Sequence, residues 1–442
     1  KSAQNDMTVG NPMKIILSFT FPIFLGNVFQ QFYNMADAVI VGKFVGNKAL
    51  AAVGSTGTIM FLIYGFVVGM TAGFTVLTAQ KFGAGDMEGM RKTVVGAGVL
   101  SFVIGTILTI LFMVFMKPLL ILMNTPSDIF ADSYAYIMIV SGGILAQMLY
   151  NLLASILRAL GNSKLPLYFL IISAILNIFG DLFFVIVLEA GSNGCAISTV
   201  LSEALCCLFC IIYIQKKVPI LRLGKKWLVF DARLLKKTIA YGWASAMQQA
   251  TVQMGKIAIQ ALVNTMGVSV AAAFAVVNRI DDFAITPEQN IAHAMTALMA
   301  QNKGAGKNDR MREGFRCGMI LELVYGAAVM LICLGFARPL MSLFVKDEEV
   351  IGHGVVYLHL IAVMYILPAI TNSLQGFFRG IGDLKVTLMS SFTNMTVRVI
   401  AAAPMVLLWN FGIEALPYSY LAGWIAMLLV ETPLMLRIYR KK

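Results

Sequence analysis

The chain has 442 residues, 59% of them hydrophobic and only 13% charged, with a formal net charge of +12. Soluble domains run at roughly 45–50% apolar and 25% charged. A water-soluble protein of this size needs polar helix faces that these segments lack, so a soluble globular fold is excluded.

Taken in chain order, the apolar stretches fall at about 15–41, 49–77, 93–116, 129–154, 165–188 and 195–214, then at 236–264, 268–299, 313–336, 352–378, 384–408 and 412–436. Each has about 20 residues or more, enough to cross ~30 Å of hydrocarbon. The expected fold class is an all-α polytopic membrane protein with twelve transmembrane helices. Between the second and third stretches the chain reads AQKFGAGD at 79–86, and between the eighth and ninth it reads AQNKGAGK at 300–307. The offset is 221, half the length. Without any gap it also pairs Arg91 with Arg312, Tyr136 with Tyr357, Asn151 with Asn372, Arg158 with Arg379 and Gly161 with Gly382. A unit this long is a duplicated lobe rather than a solenoid repeat. The organisation predicted is a six-helix lobe over 1–214, a basic cytoplasmic linker over 215–235 and a second six-helix lobe over 236–442. The two lobes are read as parallel repeats about a pseudo-twofold along the membrane normal.

Orientation follows from where Lys and Arg fall. With the N-terminus inside, the even loops and both termini hold 26, and the odd loops hold 5. This predicts cytoplasmic termini in the plasma (inner) membrane and cytoplasmic GAG turns. The positive charge is therefore a topology signal, and no nucleic-acid partner is expected. The GAG stretches lack a following GK[ST] and a preceding strand, so a phosphate cradle is disfavoured against a tight turn. Cys206, Cys207 and Cys210 sit in an apolar span with no His or acid nearby, as packing cysteines do. His293, His353 and His359 have no metal-ligand spacing, and no catalytic set or cofactor motif emerges. Nothing argues for an enzyme.

Ionisable groups inside a membrane are costly and mark function by default. The first half holds Asp37 in the first span, within FYNMADAVIVG. Asn177 and Asp181 lie in the fifth, within LNIFGDLFF, and Thr199 opens the sixth. The i, i+4 spacing of Asn177 and Asp181 puts both on one helical face. All four fall in the outer half of the membrane. Two carboxyls with neutral oxygen donors at that depth suit a proton or a hard monovalent cation, because both do not stay ionised in low dielectric without one.

At this point the sequence resembles the multidrug and toxic compound extrusion (MATE) transporters of the bacterial type. The resemblance covers essentially the whole chain. It rests on Pro22 followed fifteen residues later by Asp37 in MADAVIVGKFVGNKALAAVG, on the AQKFGAGD turn and on LRALGNSKLP at 157–166. It rests also on Asn177-x-x-x-Asp181, AQNKGAGKNDR and FFRGIGD. It implies two six-helix lobes around a central cavity, exporting organic compounds in exchange for protons or sodium with no cofactor. It also implies a first-lobe cation site at Asp37, Asn177, Asp181 and Thr199. Tyr33, Tyr136 and Asn151 match further polar positions lining that lobe, and Pro22 matches the proline at which the first helix bends. Small organic substrates, lipid contact and a monomeric state are the partners expected.

The second half departs from the pattern. Its seventh and tenth spans carry no acid, where some family members do. It holds Lys256, Arg279, Asp281, Asp282, Glu288 and Arg398 instead, with Arg398 at the position of Asn177 and Ala402 at that of Asp181. Two readings stay open: an ion-pair network of three bases and three acids that holds the lobe together, or a charged cavity wall that contacts substrate. Pro287 is expected to interrupt the eighth span. The basic residues also keep open an alternative function, a flippase for a lipid-linked precursor, whose relatives share this helical duplication.

Overall fold

The computed structural model describes residues 4–441 apart from 223, 226, 227, 229 and 230. Leu223, Lys226, Trp227, Val229 and Phe230 of the expected linker thus lie outside the described residues. Among the described residues all regular structure is helical. The first half contains α1 (Pro12–Phe44), α2 (Asn47–Ser55), α3 (Gly57–Gly83), α4 (Met87–Leu122), α5 (Phe130–Gly142) and α6 (Ile144–Ala159). It continues with α7 (Lys164–Leu182), which runs on into a π-helical turn at Phe183–Val187, and α8 (Ser192–Lys217). The second half contains α9 (Ala232–Asn264), α10 (Val268–Gly304), α11 (Asn308–Ser342), α12 (Glu348–Ala362), α13 (Ile366–Gly380), α14 (Leu384–Leu407) and α15 (Ala415–Arg440).

Among the described residues fifteen α-helices make twelve spans because three spans are broken. The second is α2 with α3, the fourth is α5 with α6 bent by 46°, and the tenth is α12 with α13 bent by 55°. At the α5–α6 break the chain approaches α8 so closely that a Cβ on Gly143 would lie 2.6 Å from a methyl of Val200. Among the described residues seven helices are long and apolar enough to cross a membrane, and the two bent pairs raise that to nine spans. The remaining three, α9, α10 and α14, are the helices that carry Lys256, the charges from Arg279 to Glu288, and Arg398. On α4, Phe102, Ile110, Val114 and Phe115 are each more than half exposed, an apolar face that belongs against lipid.

Each GAG turn closes its helix in the same way. Gly85 (φ +73) and Gly306 (φ +70) take the left-handed conformation that a side chain disfavours. In both turns two amides reach back to the last helical carbonyls: Gly85 N to Phe82 O and Asp86 N to Lys81 O, then Gly306 N to Lys303 O and Lys307 N to Asn302 O. In the first turn Asp86 goes on to cap α4 by accepting from Gly89 N at 2.9 Å.

Proline acts differently from expectation. α10 is not interrupted at Pro287 but runs unbroken from Val268 to Gly304. It is packed against α11, α12 and α13, and neighbouring helices hold a proline-containing helix together in a membrane. The non-helical residue is instead Phe336 (φ −127, ψ 23) in α11, three positions before Pro339. α1 also runs unbroken through Pro22.

Packing divides the chain into two compact units, Lys1–Asp6 with Phe21–Ala246, and Met7–Thr20 with Met247–Lys442. α1 and α9 therefore each give their first turns to the unit that holds the other half. In the first unit, Gly73 of α3 meets Tyr241 and Gly242 of α9 so closely that a Cβ there would lie 2.5 Å from the Tyr241 carbonyl oxygen. The core of this unit forms around Val67, Phe74, Met90, Ala97 and Met148, with a smaller cluster of Ile40, Val41, Val185 and Ala196. Asn5 is held there too, its amide donating to Leu160 O at 2.8 Å. The core of the second unit gathers around Val263, Phe274, Val277, Tyr357, Leu358 and Ile361. Its Met7–Gly10 segment is bound by Gln301, Asn302, Lys307 and Arg310.

Candidate functional site

In the first unit α7 packs along α8. Gly180 permits this, because a Cβ there would collide with Ser198. Ser198 Oγ donates to Asn177 O at 2.8 Å, tying the two helices together beside the acid at Asp181. Immediately afterwards α7 loosens into the π turn at Phe183–Val187, a feature that collects at functional sites.

Hydrogen-bond directions here are fixed. Thr199 Oγ1 donates to Cys195 O at 2.9 Å, so it accepts from Asn177 Nδ2 at 3.0 Å. The amide of Asn177 is thereby oriented, and its Oδ1 is left buried without a partner. Asp181 is fully buried and neither of its oxygens has a donor. From α1, Asp37 lies beside Asp181, and its Oδ1 is likewise buried and unpartnered. Asp37, Asn177 and Asp181 thus contribute four orphaned acceptor oxygens. Buried polar groups are ordinarily satisfied, and an acceptor-only set is what a proton or a hard cation completes. Among the described residues no group of three or more His, Cys, Asp or Glu has a metal-binding arrangement.

The other residues singled out for this lobe divide. Tyr136 is buried with Asp37, Asp181 and Cys195 as its polar neighbours. Tyr33 neighbours Asp37, Gln30, Tyr64 and Glu203. Asn151 serves its own helix, donating from Nδ2 to Gln147 O at 2.8 Å. Thr199 holds Asn177 in place. Glu203, one turn beyond Thr199 on α8, was not singled out from sequence. The signal was present, since it is an acid inside the predicted sixth span.

In the second unit the three bases and three acids do not form one network. Lys256 pairs with Asp282 at 3.6 Å, and both side chains are about half exposed. Asp281, adjacent in sequence, turns the other way and accepts from Tyr365 Oη at 2.6 Å, buried. Neighbouring helical residues point about 100° apart, so two consecutive acids cannot share one partner set. The guanidinium of buried Arg398 lies 4.0 Å from the ring centre of Tyr420 and 5.4 Å from that of Trp424. Arg279 is exposed, and Glu288 is fully buried with both oxygens unpartnered. Two further acids missed from sequence are buried here, Glu322 and Glu431. Glu431 Oε1 accepts from Gln375 Nε2 at 3.2 Å.

Two relatives from Bacillus subtilis (strain 168) are similar over most of the chain. The probable multidrug resistance protein YpnP is 30% identical over 89% of this chain and 88% of its own. The probable multidrug resistance protein YoeA is 29% identical over 75% and 73%. Among solved structures, the outward-facing conformation of a multidrug resistance MATE family transporter of the MOP superfamily matches with a TM-score of 0.91. That match has 22% identity and covers 99% of this chain and 98% of that one, so the twelve-helix, two-lobe fold is shared. The MatE family model matches twice, over residues 22–183 and 244–404. The two matches end 221 positions apart, the offset of the duplication, and the chain belongs to the MatE family of MATE transporters.

Proposed function

We propose that this protein is a cation-coupled antiporter that exports organic compounds, cationic or amphipathic, with protons or sodium bound at Asp37, Asn177 and Asp181 and positioned by Thr199. The observation that carries this reading is the set of four buried acceptor oxygens without donors. The relatives named as probable multidrug resistance proteins support the substrate class. A cation entering from outside neutralises the site and draws α1 toward α7 through Asp37. Because α1 contributes residues to both units, with Pro22 just past the division, a shift of that helix is a route by which the ion biases alternating access. A differential affinity of a few kcal/mol between the two states suffices. This reading has both termini facing the cytoplasm across the plasma membrane and a monomer as the working unit.

The flippase reading drew on cationic residues open to an anionic headgroup. Arg398 is covered by aromatic rings and Lys256 is paired with Asp282, which leaves that reading with Arg279 as its one exposed and unpaired base among the three. Efflux of a fluorescent cationic dye from reconstituted vesicles, with pH and sodium gradients imposed separately, tests the proposal. Dye movement should follow one gradient and stop when it is collapsed. Movement indifferent to both gradients would defeat the antiport reading.

A further inference from the structure

Two carboxyls in the second unit take no part in the site described above. Glu288 on α10 and Glu322 on α11 are fully buried, and all four of their carboxyl oxygens lack a hydrogen-bond partner. Glu288 Oε1 lies 3.7 Å from where a Cβ on Gly326 would stand. Gly326 is one helical turn beyond Glu322, so the two carboxyls share one stretch of the α10–α11 interface.

The groups around the pair offer no positive charge. Glu288 is faced by Asp281 from its own helix, by Asn372 from α13, and by Tyr325 and Glu322 from α11. From α12, Tyr357 faces Asp281 rather than the pair. Lys256 is engaged with Asp282, and Arg398 with Tyr420 and Trp424. Two buried carboxylates without a counter-charge do not both remain ionised. A proton needs only the two carboxyls.

We propose that Glu288 and Glu322 form a second proton-binding site, inside the second unit, loaded independently of Asp37 and Asp181. The duplication sets this pair in a frame that both halves share. Gly326 and Asn372 correspond to Gly105 and Asn151, and Asn151 makes the same intrahelical bond as Asn372. The acids correspond to Val67 and Ser101, neither of which binds a proton at working pH. The site does not depend on the first unit being the coupling site.

The test is infrared spectroscopy of the full chain in lipid, across a pH step, in the Asp37→Asn/Asp181→Asn background. In that background the carbonyl absorption of protonated carboxyl groups should persist at neutral pH. Adding Glu288→Gln or Glu322→Gln should remove the share of one carboxyl from it. Unchanged absorption in whichever added variant folds overturns the proposal. Failure of both variants to fold overturns it as well, because glutamine replaces a protonated glutamic acid almost atom for atom and a proton-loaded site must tolerate it. Since Asp37 and Asp181 are absent throughout, the outcome is separate from whether they couple transport.

Discussion

Asn177 shows how one side chain's orientation decides what a site can bind. Its Nδ2 is committed to Thr199, and so its Oδ1 is presented to the acids. Thr199→Ala should therefore act through Asn177, weakening the apparent affinity for the coupling ion several-fold while Thr199→Ser retains it. Ion-concentration dependence of dye efflux measures this, and equal behaviour of the two variants would count against the positioning role. Lys256→Ala breaks an exposed ion pair worth about 0–1 kcal/mol, so its melting temperature should match the parent's. Arg398→Ala, which strips a buried guanidinium from two rings, should cost roughly 2 kcal/mol or more, read as a clear drop in melting temperature. Asp37 and Asp181 stood out in the sequence as carboxyls in apolar spans, and Asn177 by its i, i+4 spacing from Asp181. Glu203, Glu322 and Glu431 carried the same signal and were passed over. What no sequence shows is the split of Asp281 from Asp282, which depends on which face of α10 meets α13.

At the scale of the helix, the close seam between α7 and α8 shapes the site. Gly180→Ala should push α7 and α8 apart at Ser198 and break that side chain's bond to Asn177 O, destabilising the protein by about 1–3 kcal/mol. Adding Ser198→Ala should recover part of the loss, since it removes the colliding hydroxyl; thermal melting of both variants tests this, and an unchanged single variant contradicts the seam. The order of the spans was readable from the apolar stretches and the duplication together, although α9, α10 and α14 fall short of the others in apolar length. The breaks within the second, fourth and tenth spans were not; the fourth falls where α8 comes close, with Val200 against Gly143, a contact that no local pattern announces. Pro287 and Pro339 make the same point. The residue type is identical, yet α10 stays continuous through its proline among packed neighbours, whereas α11 departs from helical geometry at Phe336.

Over the whole molecule, the duplication was the most legible feature, since a constant offset survives where individual residues have drifted. The sharing of α1 and α9 between the two compact units was not legible, because it is a packing outcome with no local pattern. Topology remains open to direct labelling. A cysteine at Gly191 or Ser192 should react with an impermeant reagent from outside, and one within 215–237 only from inside; reaction of both from one side would undo the span count. The claim on which the function depends is that the first-unit acids bind the coupling ion without holding the substrate. The measurement is gradient-driven transport in vesicles beside equilibrium substrate binding, for Asp37→Asn and Asp181→Asn. Both variants should bind substrate with near-parent affinity and lose gradient-driven transport by tenfold or more, about 1.4 kcal/mol of coupling. Transport driven as well as in the parent protein would show that the coupling ion binds elsewhere.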